Sequence, residues 1–489
     1  MARYDLVLRG GTVLDGGGAA GVTADLAIDG DRIAAIGRLA QGSGAAEIDV
    51  AGLAVAPGFI DVHTHDDRAL LSQPEMAPKA SQGVTTVIVG NCGISLAPMV
   101  PAGPLPPPLD LIGSAEYRYR RFADYLAALD AAPAAVNAAA LVGHSTLRAG
   151  AMDRLDRPAS ERETEAMRER LADALEAGAI GLSSGLWYAP ANAAPKAELV
   201  ELARELHKAG AVYTTHMRDE GDHVLESLDE SFAVGREASV PVVISHHKVL
   251  GAENFGRTAE TLPKIKAAMA QQPIGLDAYP YVASSTVLRA ENIPRAIKIL
   301  VTWSKPHPEA SGRELAAIAR DWGVSAEAAA ERLQPAGAIY FMMSEADVRR
   351  VLAFEHTMIG SDGLPHDRHP HPRLWGTFPR VLGHYCREEK LFPLEEAVRR
   401  MTGLPAERFG LAGRGRLRPG AYADVTVFDP AAIIDRASFA EPTLPAAGIP
   451  LVLVNGQAVW RDGAATGARP GRALRRQQMK REARSQGAA

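Results

Sequence analysis

The sequence predicts an α/β protein: a (β/α)8 TIM-like barrel, with a small β-domain built from both chain termini and an insertion after barrel strand 7. Three observations carry this expectation. Eight short apolar runs lie between residues 59 and 362. Charged, helix-periodic stretches separate several of them, the alternation of a parallel sheet with crossover helices. Strand-and-turn patterns rich in Gly and Asp occupy both ends of the chain.

The elements follow in chain order. Residues 1–57 alternate short apolar runs with turns (YDLVLRGGTVLDGG, ADLAIDGDRIAAIG) and are expected to form the N-terminal part of the β-domain. The barrel is expected over 58–410. Its strands are placed at 59–63, 84–90, 138–143, 179–184, 211–216, 241–246, 274–279 and 357–362. Segments 159–177 and 195–209 read as helices. In the second, Ala197, Leu199, Val200, Leu202, Ala203 and Leu206 make an apolar stripe. The gap between the last two strands is too long for one crossover helix, so a helical insertion is placed at about 283–345. Residues 411–470 return to strands and turns and supply the C-terminal part of the β-domain. The segment 471–489 is a basic tail, expected as a solvated helix.

Composition narrows the function. Of the 489 residues, 47% are hydrophobic and 23% charged, values that exclude a disordered or collagen-like chain. Lys plus Arg is 53 and Asp plus Glu is 58, a net charge of −5, so there is no electrostatic case for a nucleic-acid or membrane partner. The two cysteines, Cys92 and Cys386, cannot build a disulfide framework and fit a reducing compartment. No run approaches the ~18 apolar residues of a membrane span, and no basic region leads into an apolar stretch at the N-terminus. A cytoplasmic protein acting on a small molecule is expected; nothing in the pattern specifies an oligomeric state.

The chemistry lies at the strand ends. His63 and His65 close the first run (IDVHTHDD). Residues two apart on a strand share a face, so both imidazoles can reach one metal ion. Alone, the pair fits two core histidines equally well. The other ligand types decide: Cys92 ends run two (IVGNCG), His216 run five (YTTHMRDE), His246 run six (ISHHK) and Asp362 run eight (IGSDG). In a barrel these ends converge on one mouth. Imidazole, thiolate and carboxylate together suit Zn2+, which can lower the pKa of a bound water to about 7 and polarise a carbonyl. A metal would hold Cys92 as thiolate. Asp362 is placed to take a proton from the attacking water and pass it to a leaving amine.

The HxH of run one, the GSDG aspartate and the RGRLRPGAYADVTVFD segment resemble the amidohydrolase superfamily. The GNCG, THMRDE, ISHHK and DAYPY segments are similar to its D-aminoacylase branch, the N-acyl-D-amino-acid deacylases. The resemblance covers nearly the whole chain. It implies a metal-bearing barrel and Zn2+-dependent hydrolysis of N-acyl-D-amino acids; the preference for the D-configuration comes from the resemblance alone. It implies that Cys92, His216 and His246 hold a tighter zinc, that His63 and His65 share Cys92 in a weaker site, and that Asp362 is the catalytic aspartate. Superfamily members with a carboxylated lysine carry it on strand four; here that strand ends in LSSGL, and the resemblance gives the bridging role to Cys92.

Substrate binding requires an anchor for a carboxylate. Lys248, two residues beyond His246, would share its face on a strand, and the Arg373 guanidinium suits bidentate carboxylate binding. The resemblance places residues matching Lys248, Tyr279, Ser285 and Arg373 around the substrate carboxylate. Arg289 and Arg295 stand where they would favour an acidic substrate side chain, or as surface residues of the insertion. His144 faces the same mouth and offers a supporting role behind the ligands. His247 is expected to point away; His366, His369 and His371 are expected as solvated loop residues; Cys386, Met217, Met342 and Met343 are expected as packing. Two rival functions stand: hydrolysis of a cyclic, ureido or isoaspartyl amide, and a non-catalytic scaffold of the same fold.

Overall fold

The computed structural model describes residues 3–113, 116–476 and residue 479. Eight parallel strands form the barrel: Phe59–Asp61, Val84–Val89, Asn137–Gly143, Gly181–Gly185, Val212–His216, Val242–Ile244, Ile274–Ala278 and Thr357–Ile359, hydrogen-bonded in that order. Ile60, Val62, Ile88, Leu141, Ile180, Val212, Val243 and Met358 fill the interior, with Leu404, Phe409 and Leu411 packed on the same cluster. The barrel is therefore a packed core whose chemistry is displaced to its mouth.

Its last and first strands meet differently from the others. A bridge joins Thr64 to Gly363, and the Asp362 N–H donates to the His63 carbonyl at 2.7 Å. The fully buried Lys79 completes the seam, its Nζ donating to Asp61 Oδ2 (2.8 Å) and Ser361 Oγ (2.7 Å). A buried ammonium of this kind is tolerated only with such partners.

The expected helices are present as Glu161–Ala177 and Lys196–Ala209. The first opens on a reciprocal cap between Ser160 and Glu163. The second buries Leu199, Val200, Leu202, Ala203 and Leu206 and stops at Gly210, whose φ of 64° suits a residue without Cβ.

Three expectations need correction. First, barrel strands one, six and eight stop at Asp61, Ile244 and Ile359, so His63, His65, His246, Lys248 and Asp362 lie in the turns beyond. Strand alternation does not bring His63 to His65 or His246 to Lys248; turn geometry does. Second, the insertion is not purely helical. Strands Ala283–Val287, Lys298–Ser304 and Ala336–Phe341 form an antiparallel sheet with the last in the centre, and helices Leu315–Trp322 and Ala326–Leu333 pack on it. The apolar, β-branched and aromatic KILVTWS and AGAIYF runs flank a longer helical stretch that dominates the pattern. Third, the start of the tail is built into the barrel rather than solvated. Ala473 and Leu474 pair in parallel with Ala138 and Ala139 of the third barrel strand, and Leu474 and Met479 join the barrel-interior cluster. Residues 477, 478 and 480–489 lie outside the described residues.

The β-domain joins both ends of the chain. Val425–Phe428 pairs antiparallel with Ala54–Pro57 inside a nine-stranded sheet, over a core that includes Leu8, Leu26, Ile28, Val425 and Leu453. Asp424 pairs with Arg414 and accepts from Asn137 Nδ2 at 3.2 Å, which ties the domain to the third barrel strand. Among the described residues no helix is long and apolar enough to cross a membrane.

Candidate metal and active site

The turns after strands one, two, six and eight, together with His216 at the end of strand five, bring the predicted ligands to one place. Cys92 arrives on a tight loop between Gly90 and Gly93. A Cβ on Gly90 would meet the Leu141 carbonyl oxygen at 2.2 Å, so only glycine lets the loop press against strand three. Cys92, His246 and Asp362 all have positive φ, at 53°, 35° and 50°. Each such non-glycine backbone costs roughly 1–3 kcal/mol and persists only where surrounding structure over-determines it. Three of them on one constellation mark a site built for chemistry rather than for stability.

The distances define two groups. His63, His65, Cys92 and Asp362 place one ligand atom each within 4.8 Å of one another, and so do Cys92, His216 and His246. Cys92 belongs to both: its Sγ is 3.2 Å from His63 Nε2 and 3.4 Å from His246 Nε2. His246 Nε2 lies 3.0 Å from His216 Nδ1. His65 Nε2 lies 3.2 Å from Asp362 Oδ1. All six side chains are buried. A thiol, four imidazoles and a carboxylate converging without an apolar spacer fit zinc, with the sulfur positioned to serve two ions.

Electrostatics agree. Burial opposes a charged Cys92, but the charges of His63 and His246 and hydrogen bonds from His216 and His246 outweigh it and hold the thiol well below its ordinary range. Burial likewise opposes a charged Asp362; Arg373, His63 and His65 overcome it and keep the carboxyl ionised. Arg373 Nη1 stands 2.8 Å from Asp362 Oδ2.

Beside the ligands lies a cleft of about 640 Å³ that reaches His216, His246 and Asp362. Lys248, Tyr279 and Ser285 line it. Lys248 Nζ bonds Glu220 Oε1 and His246 Nδ1, each at 2.8 Å. The Arg373 guanidinium stacks 4.5 Å from the centroid of the Tyr279 ring and donates to the Ser285 carbonyl at 3.1 Å. Tyr279 Oη and Ser285 Oγ are buried without a hydrogen-bond partner among the described residues. An unmet buried hydroxyl costs roughly 1–3 kcal/mol, which a polar ligand here would recover.

Two supporting residues were not singled out from the sequence. Glu220 touches Lys248 and His246 Nδ1. Asp277 accepts from the His246 N–H at 2.9 Å and faces His63 Nδ1 at 3.4 Å. Both sit inside motif segments, THMRDE and DAYPY, but a carboxylate that orients an imidazole has no spacing signature of its own. Some secondary expectations change. His144 turns away to Glu198 (2.8 Å), beside the buried Arg148. His371 is buried, not solvated: it accepts the Arg373 N–H at 2.9 Å and so fixes that residue. Met342 lines the cleft. His247 points away to Thr261, as expected.

Comparison with known proteins bears on the same constellation. The model of the "Amidohydrolase family" matches residues 46–264 and 258–460. A D-aminoacylase of Alcaligenes xylosoxydans xylosoxydans is 58% identical over 97% of this chain and 98% of its own. An N-acyl-D-aspartate deacylase of the same organism is 50% identical over 97% of this chain and 95% of its own. The crystal structure of an N-acyl-D-glutamate deacylase from Bordetella bronchiseptica, complexed with zinc and a phosphonate inhibitor that mimics the tetrahedral intermediate, superposes with a TM-score of 0.94 at 48% identity, covering 97% of this chain and 100% of that one.

Proposed function

The chain belongs to the amidohydrolase family, and from that premise we propose that it is a Zn2+-dependent hydrolase that cleaves N-acyl-D-amino acids to a carboxylate and a free D-amino acid. The observation that carries the proposal is the adjacency of two groups: metal-type ligands sharing Cys92, and a cationic, hydroxyl-lined cleft beside Asp362. Cys92, His216 and His246 would hold the tighter zinc, and His63 and His65 with Cys92 a weaker one. Bound zinc supplies activation of a water and polarisation of the acyl carbonyl.

The protein's own groups do the rest. Asp362 takes the proton of the attacking water at Oδ1 and delivers it to the departing nitrogen. Its Oδ2 is held by Arg373, which fixes the carboxylate plane for that transfer. Lys248 and Arg373 bind the substrate carboxylate, and Tyr279 Oη and Ser285 Oγ complete its hydrogen bonds. Glu220 holds Lys248 Nζ in place. The D-configuration rests on the relatives. Two buried, unpaired cysteines fit a cytoplasmic protein.

Masking the substrate carboxylate tests this assignment. Two charged hydrogen bonds, each worth about 1.5–3 kcal/mol, predict that N-acetyl-D-methioninamide loses on the order of 100-fold or more in kcat/KM relative to N-acetyl-D-methionine. Equal turnover of the two at the acetyl amide would remove Lys248 and Arg373 from substrate binding.

A further inference from the structure

Two of the three relatives are named for acidic amino acids and the third for no particular side chain. The lining of this chain's cleft bears on which kind of side chain it accepts. Its wall beyond the anchors is apolar at Trp187, Leu250 and Met342 and neutral at Thr286 and Asn292. Among the described lining residues, Arg295 is the only lysine or arginine besides Lys248.

Arg295 is already engaged. Its Nε donates to Glu253 Oε1 and its Nη2 to Asp222 Oδ1, both at 2.8 Å. Asn254 Nδ2 holds that same Asp222 oxygen at 2.7 Å. Asp219 brings a third carboxylate to the cleft rim. The neighbouring Arg257 is directed to the Gly221 and Asp222 carbonyls and to Asn254. Arg289 lies over the Trp187 ring at 4.7 Å, with Glu291 at 3.5 Å, and is not in the cleft wall. An acidic side chain entering this corner would have to displace Asp222 or Glu253 and would meet like charge from the remaining carboxylates. That repulsive element rejects a competitor without any special contact to the favoured substrate.

We propose that Arg295 is a latch between the insertion and the loops after barrel strands five and six, and that its pairing with Asp222 and Glu253 makes the side-chain subsite select uncharged D-side chains. This rests on the deacylase reading of the neighbouring site. Released, the same guanidinium stands at the cleft wall and could pair with a substrate carboxylate.

The test compares kcat/KM of the zinc-loaded protein for the N-acetyl derivatives of D-leucine, D-methionine, D-aspartate and D-glutamate, then repeats it with the Asp222→Asn/Glu253→Gln variant. The uncharged substrates are expected to exceed the acidic ones by about 100-fold. In the variant the D-glutamate to D-leucine ratio should rise at least about tenfold, with D-leucine turnover within about twofold of the parent. A preference for acidic substrates, or a ratio that the variant leaves unmoved, overturns the latch proposal alone. No hydrolysis of any of the four with zinc bound overturns the deacylase reading and this inference together.

Discussion

Asp362→Asn is expected to lower kcat by about 1000-fold, within the range of general acid–base effects, while the protein still binds zinc. Asparagine keeps the size of the side chain; its single amide oxygen can still accept from Arg373 while its NH2 donates to a neutral His65 ring nitrogen, so the surrounding geometry has little reason to move. It cannot take up the proton of the attacking water or hand one to the leaving nitrogen. The ligand group Cys92, His216 and His246 does not include Asp362, so metal analysis should find at least one zinc per chain in the variant. Near wild-type turnover would assign proton transfer elsewhere. Loss of all zinc would mean that the carboxylate acts chiefly as a ligand.

Cys92→Ala carries the second large effect, because one sulfur serves both ligand groups. Removing Sγ takes away the contact at 3.2 Å to His63 and that at 3.4 Å to His246 together. Zinc per chain after desalting is expected to fall well below one, and activity by about 1000-fold or more. His63→Ala removes a member of only one group and should retain one zinc per chain. The contrast separates a shared ligand from general damage to a buried cluster. If Cys92→Ala retained the zinc of the parent protein, the sulfur would not be a bridge.

How much of this was legible in the sequence follows from what each feature depends on. The barrel was legible because its strands are continuous apolar runs buried on both faces, as in VTTVIV and NAAALVG. The convergence of His63, His65, Cys92, His216, His246 and Asp362 was legible because barrel topology brings every strand end to one mouth, whatever the local turn. The turn conformations were not. Positive φ at Cys92, His246 and Asp362 is imposed by tertiary packing, against the local preference of those residues. The insertion's sheet was hidden because its strands pair with partners up to 58 residues away (Ala283 with Phe341) while its helices announce themselves locally. Glu220, Asp277 and the state of Arg295 depend on which partner each charge meets, and pairing across distant loops leaves no periodicity to read.

The central claim is that this constellation hydrolyses the acyl amide of D-amino acids. Zinc-loaded protein should be offered N-acetyl-D-leucine and N-acetyl-L-leucine in parallel, with the released leucine resolved by chiral chromatography. The account predicts D-leucine from the first and a kcat/KM for the second lower by about 100-fold or more. Equal release from both enantiomers, or release only from the L-substrate, would contradict it.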